Sequence, residues 1–110
     1  MTTEREQLEL AAKACGLKHK STDELSQWLL VEGVRTPLQG AHRWYWNPLA
    51  DDGDCARMEA QLSVCVEWSE AWVISWHGNV QQTVLFSTHN GDKNAARRAA
   101  SVAVASEIGG

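Results

Sequence analysis

Residues 64–86 read VCVEWSEAWVISWHGNVQQTVLF, and this stretch decides the fold. Val64, Val66 and Trp68 alternate with Cys65 and Glu67. Trp72, Ile74 and Trp76 alternate with Val73, Ser75 and His77, and Thr83 and Leu85 alternate with Val84 and Phe86. A side-chain period of two, carried by β-branched and aromatic residues, is the signature of a strand. Gly78–Asn79 separates the second run from the third. It suits a two-residue hairpin turn, because glycine accepts positive φ freely and asparagine tolerates it. Ser69–Glu70–Ala71 makes a looser turn before it. The pattern predicts an antiparallel three-stranded meander.

On either side of the meander the period changes to that of a helix. Upstream, the breaker Asn47–Pro48 is followed by Asp51–Asp52–Gly53–Asp54, and then Cys55, Met58 and Leu62 form an apolar stripe. Acidic residues at this point cap a helix and complement its positive dipole end. The spacing predicts a helix over Asp52–Leu62. Downstream, Asn90, Gly91 and Asp92 supply a turn and cap for a helix over Asp92–Ile108. Its Ala95, Ala99, Val102 and Ala103 are expected to lie against the sheet.

At the N-terminus Thr3 and Glu6 form a capping box, Leu8, Ala11, Ala12 and Cys15 follow helical spacing, and Gly16 holds the C′ position. A helix is predicted over Thr3–Cys15. Between this helix and Tyr45 the signal divides. Ser21 and Glu24 suit a second capping box before Leu25, Trp28 and Leu29, while residues 27–31 also suit a strand. The reading favoured is a strand over residues 27–32 paired with a short one over residues 42–46, with Gly33, Pro37 and Gly40 marking the loop between them. The predicted order is α-ββ-α-βββ-α: an α+β fold in which an antiparallel sheet of three to five strands is layered with helices.

The chain has 110 residues, 44% of them apolar and 22% charged, which suits one globular domain spanning 1–110 and excludes disorder throughout. No apolar stretch approaches the roughly 20 residues of a membrane span, and no basic then apolar leader opens the sequence. Three cysteines are too few for a disulfide framework. A reduced, cytoplasmic setting is expected, with free thiols and no membrane partner.

Three runs together resemble the phage ABA-sandwich domain family, small proteins of tailed bacteriophages and prophages. They are Leu8–Gly16 (LELAAKACG), Trp46–Asp54 (WNPLADDGD) with Arg57, Met58 and Leu62 after it, and Asn94–Ala100 (NAARRAA) ending in Ser106–Gly109 (SEIG). The resemblance covers roughly half of the chain. The Trp46–Asp54 run is its most specific part, and Cys55 departs from the small or aliphatic residue usual there. The resemblance implies a sheet layered with helices in a protein made inside a bacterial host. It implies no catalytic residues.

The residues offer little chemistry of their own. Asp51, Asp52 and Asp54 lack the carboxylate spacing and distal glutamate of a calcium loop, so capping is preferred to a metal. Cys15, Cys55 and Cys65 with His19, His42, His77 and His89 show no CxxC or HxxxH pair. The expectation is a non-enzymatic protein with no catalytic residue, metal or cofactor.

Six tryptophans, all between positions 28 and 76, stand against one Phe and one Tyr. Tryptophan serves cores and binding surfaces alike. Trp68, Trp72 and Trp76 are expected mainly in the core, with one or two rings at a partner surface. Residues 47–70 carry six acids and one base, whereas residues 71–110 carry two acids and three bases. Aromatic side chains beside charge compose a binding anchor with a polar rim. The candidate partner-binding set is therefore Trp44, Trp46, Asp51, Asp52, Asp54, Glu67 and Glu70, for a host protein with a basic surface. An anti-defence inhibitor such as an anti-CRISPR is the kind of function expected. The alternative is a nucleic-acid-binding module with the element order of a double-stranded-RNA-binding domain, using Lys93, Arg97 and Arg98 for phosphates and the sheet tryptophans Trp68, Trp72 and Trp76 as a base-stacking platform. The net charge of −4 opposes it.

Overall fold

The computed structural model describes residues 3–20, 28–34 and 41–110. These form α1 (Glu4–Ala14), β1 (Lys18–Lys20), β2 (Leu29–Val34), β3 (Ala41–Trp46), α2 (Asp52–Leu62), β4 (Cys65–Trp68), β5 (Trp72–His77), β6 (Val80–Leu85), a 3-10 turn at Phe86–His89, and α3 (Lys93–Gly109). The fold is α+β, with two antiparallel three-stranded sheets ordered β1-β2-β3 and β4-β5-β6.

The helix starts follow from local hydrogen bonding. Thr3 Oγ1 accepts the Glu6 N–H at 3.1 Å, Asp51 Oδ2 accepts the Asp54 N–H at 2.8 Å, and Asp92 Oδ1 accepts the Ala95 N–H at 3.0 Å. Each cap satisfies a backbone donor that the first helical turn leaves without a partner. The β5–β6 hairpin closes as the sequence predicts: His77 pairs with Val80 across Gly78–Asn79, and Gly78 sits at φ 57°.

Two features of the N-terminal half depart from expectation. Lys18–Lys20 adds a strand, pairing antiparallel with Leu30–Glu32; three residues are too few to show a period. Gly33 lies inside β2, opposite His42, rather than in a loop. The second capping box, at Ser21 and Glu24, and the loop residues Pro37 and Gly40 lie outside the described residues.

Helix α3 serves two cores. Its Ala96 and Ala100 pack with Val73 and Phe86 against the β4-β5-β6 sheet. Further along, Val102 and Ala105 join Leu8, Ala11 and Ala12 of α1, Leu29 and Val31 of β2, Trp46 of β3, and Cys55 and Met58 of α2. The buried face therefore runs through Ala96, Ala100, Val102 and Ala105, while Ala95, Ala99 and Ala103 are only half-buried. The expected stripe is offset because a helix held between α1 and a sheet buries two faces. Where α3 crosses α1, Gly109 is required: a Cβ there would fall on the Leu10 carbonyl, 2.8 Å from its carbon.

Candidate functional site

The Trp46–Asp54 run forms a turn leading into a cap. Asn47 Oδ1 accepts the Leu49 N–H at 2.9 Å, and Pro48 is fully buried. Asp54, only 3% exposed, reaches back to the Asn47 N–H at 3.0 Å and takes Arg57 Nη2 at 2.7 Å. Arg98 of α3 clamps the run by donating to the Leu49 carbonyl at 2.8 Å and to Asp52 Oδ1 at 2.6 Å. Asp51 caps α2 and lies 3.9 Å from Arg57. These three aspartates therefore orient a chain segment, and their charge is met within the protein. Among the described residues no three His, Cys, Asp or Glu side chains converge as metal ligands.

Glu59 continues the pattern in the interior. Its carboxylate takes both Nε (3.1 Å) and Nη2 of Arg97, and the Ser101 hydroxyl donates to it at 2.6 Å. Ser101 Oγ in turn lies 2.8 Å from Ser75 Oγ on β5. The hydrogen bonds from Arg97 to Glu59 hold the guanidinium pKa above its usual value, against the opposing effect of burial. The chain Arg97–Glu59–Ser101–Ser75 ties α2, α3 and β5 together. Arg97 and Arg98 are thus not a solvated helix face, and neither is free to grip a phosphate.

Four of the six acids in residues 47–70 are matched in this way by arginines or caps. Glu67 on β4 and Glu70 in the following turn remain exposed, and no cation pairs with them among the described residues. The structure divides the expected partner-binding set accordingly. Trp46 is buried at 3% exposure beneath α2. Trp44, half-buried, stands beside it on a cleft of about 540 Å³. Cys15, Leu17 and Met58 supply the apolar wall of this cleft, and Arg57 and Gln61 its polar lip. Burial pushes the Cys15 thiol up to about 11, so at neutral pH it is a protonated apolar wall and not a nucleophile. The Cys55 thiol rises to about 12 from burial, with the nearby Glu59 charge adding to the effect. All three cysteines are free.

The more telling surface is the second face of the β4-β5-β6 sheet. Residues directly opposite in an antiparallel pair share a face. Val66–Ser75–Gln82 and Trp68–Val73–Val84 therefore point toward α3, while Cys65–Trp76–Gln81, Glu67–Ile74–Thr83 and Trp72–Leu85 point away from it. Val73 and Ser75 are fully buried, whereas Trp72, Ile74 and Trp76 are half-buried and Leu85 is 48% exposed. Trp72 and Trp76 thus lie opposite the core, not in it. Trp68 faces α3 at the sheet edge, 48% exposed, with its ring 6.1 Å from that of Phe86.

The outer face combines Trp72, Ile74, Trp76 and Leu85 with Glu67, Thr83, Gln81 and Cys65 at its margins. The signal for it was in the sequence: with the register fixed by Gly78–Asn79, the tryptophans stand beside Gln81, Thr83 and Leu85. The other sheet has a different outer face, with Lys18, Arg43 and Glu32 around Leu30 and a Tyr45 that is 65% exposed. No helix among the described residues is long and apolar enough to cross a membrane. No family model, curated protein or solved structure matches the chain.

Proposed function

We propose that the chain is a non-enzymatic accessory protein of a bacteriophage or prophage that acts by binding a host protein in the bacterial cytoplasm, as an anti-defence inhibitor such as an anti-CRISPR does. The phage origin rests on the resemblance of the Leu8–Gly16, Trp46–Asp54 and Asn94–Gly109 runs. The binding role is carried by one observation: the outer face of the β4-β5-β6 sheet sets Trp72, Ile74, Trp76 and Leu85 together, with Glu67 as its only charge among the described residues.

Contiguous apolar surface with a polar margin favours a protein partner, since burying it gains about 25 cal/mol per Å². Glu67 and the adjacent Glu70 favour a partner with a basic rim and oppose a phosphate backbone. The site thereby moves from the Trp44–Asp54 segment, whose charges are already matched, to the second sheet. The nucleic-acid alternative loses its phosphate-gripping arginines, because Arg97 and Arg98 are held by Glu59 and Asp52, and beside the outer-face tryptophans Glu67 opposes a phosphate backbone.

Affinity capture from bacterial lysates, with and without nuclease treatment, tests the reading. The expected result is a host protein retained by the wild type and lost with Glu67→Lys plus Leu85→Ser, two exposed positions whose change leaves the core intact. Retention of nothing across several hosts, or capture that nuclease abolishes, would refute it.

A further inference from the structure

Strand β6 is the outer strand of its sheet, and among the described residues nothing pairs with its free side. Its backbone directions follow from the register. His77–Val80 closes the two-residue turn and is a hydrogen-bonded pair, so Ser75–Gln82 and Val73–Val84 are too. The Phe86 N–H, bonded to the Ala71 carbonyl at 3.0 Å, continues the series. Gln81, Thr83 and Leu85 must therefore point their N–H groups outward. The Leu85 carbonyl accepts the Thr88 hydroxyl at 2.6 Å, while those of Gln81 and Thr83 face the open edge.

Proteins protect such edges with charge, proline or a bulge. Strand β6 (Val-Gln-Gln-Thr-Val-Leu) has no charge and no proline, and it pairs residue for residue with β5 without a bulge. An unprotected edge beside an apolar face is the arrangement used for strand addition.

We propose that β6 accepts an extended strand of the bound partner, extending the sheet to four strands; this rests on the protein-binding role proposed above. The two faces specify the chemistry of that strand. On the outer face its side chains lie beside Gln81, Thr83 and Leu85 and continue the Trp72–Trp76 surface, so apolar residues fit. On the other face they lie beside Val80, Gln82 and Val84, and the Gln82 amide donates to Glu107 of α3. No cation pairs with Glu107 among the described residues, so Lys or Arg fits there. The partner segment therefore places apolar residues on the outer face and a Lys or Arg beside Gln82 on the other. A second copy is a poorer occupant, because pairing β6 with itself would bring two Glu107 carboxylates to the same side of the new seam.

The test uses a short, end-blocked, fluorescein-labelled peptide of alternating lysine and valine, titrated by anisotropy against the full chain. Saturable binding is expected, with a loss of roughly tenfold or more in Thr83→Pro. That substitution removes an outward N–H and leaves the bonds to β5 in place. N-methylation of alternate peptide amides is expected to have the same effect with all charges kept. Glu107→Lys should weaken this peptide and strengthen its glutamate–valine counterpart.

No binding up to about 1 mM, or equal binding by wild type and Thr83→Pro, overturns the proposal. So does a dimer of the chain alone that Thr83→Pro dissociates. If host capture depends on Glu67 and Leu85 while the peptide results fail, only the strand mode falls. If the peptide results hold while no host protein is captured, the host-binding role falls instead.

Discussion

Replacing Arg97 with methionine isolates the cost of the buried ion pair. The substitution keeps most of the apolar stem and deletes the guanidinium that holds both oxygens of Glu59. The side chains are 20% and 10% exposed, so solvent cannot readily replace the lost partner. Glu59 would keep the Ser101 hydroxyl alone. Removing one member of such a pair costs about 3–5 kcal/mol, most of it the burial of an unpaired charge. For a domain whose total stability is of order 5–15 kcal/mol, that is a large share. At about 4 °C per kcal/mol, the melting temperature should fall by roughly 12–20 °C. Glu59→Met with Arg97→Met removes both charges and should recover most of the loss. Urea denaturation followed by tryptophan fluorescence, with all four members of the cycle, gives the values. An Arg97→Met loss below about 1 kcal/mol would refute the reasoning, since the pair would then behave as a surface contact.

Asp51→Ala should lower stability by about 0.5–2 kcal/mol in denaturant titration because Asp51 is the α2 cap, and added calcium or magnesium should leave the melting temperature unchanged. Gly109→Ala should cost about 1–3 kcal/mol by thermal melting, because overpacking against Leu10 outweighs the gain in helix propensity. The thiols predict an alkaline limit. Cys15 and Cys55 are raised from 9.0 to about 11 and about 12, so the unfolded chain loses those protons first. Their contribution is intact below pH 9 and declines as pH rises toward 11 and 12, by at most about 1.4 kcal/mol per pH unit for each thiol. Cys15→Ala with Cys55→Ala should flatten that slope, measured as denaturant midpoint against pH. Under native conditions iodoacetamide should label the exposed Cys65 first, and all three thiols should count as free after denaturation.

The helices were legible because their ends are local: Thr3, Asp51 and Asp92 sit where their side chains bond within the next turn. The hairpin was legible because Gly78–Asn79 fixes its own geometry. What period two cannot supply is which face of a strand is inside. Trp72-Ile74-Trp76 outweighs Val73-Ser75 in apolar bulk, yet the smaller set is buried because alanine-rich α3 approaches closely and Ser75 meets Ser101 there. Glu67 opposite Ile74 was the residue that marked the outer face. The pairing of the acidic segment was hidden for a related reason. Asp54 meets Arg57 three residues on, but Asp52 and Glu59 meet Arg98 and Arg97 about 40 residues away, and charge pairing across that separation leaves no local pattern.

Site-specific photo-crosslinking tests the binding face most directly. A photoreactive residue is placed at Thr83 on the outer face of one sheet, or at Tyr45 on the outer face of the other, and each variant is irradiated in the presence of host lysate. The account predicts one discrete host-protein adduct from position 83 and none from position 45. An adduct from position 45 with none from position 83 would contradict it.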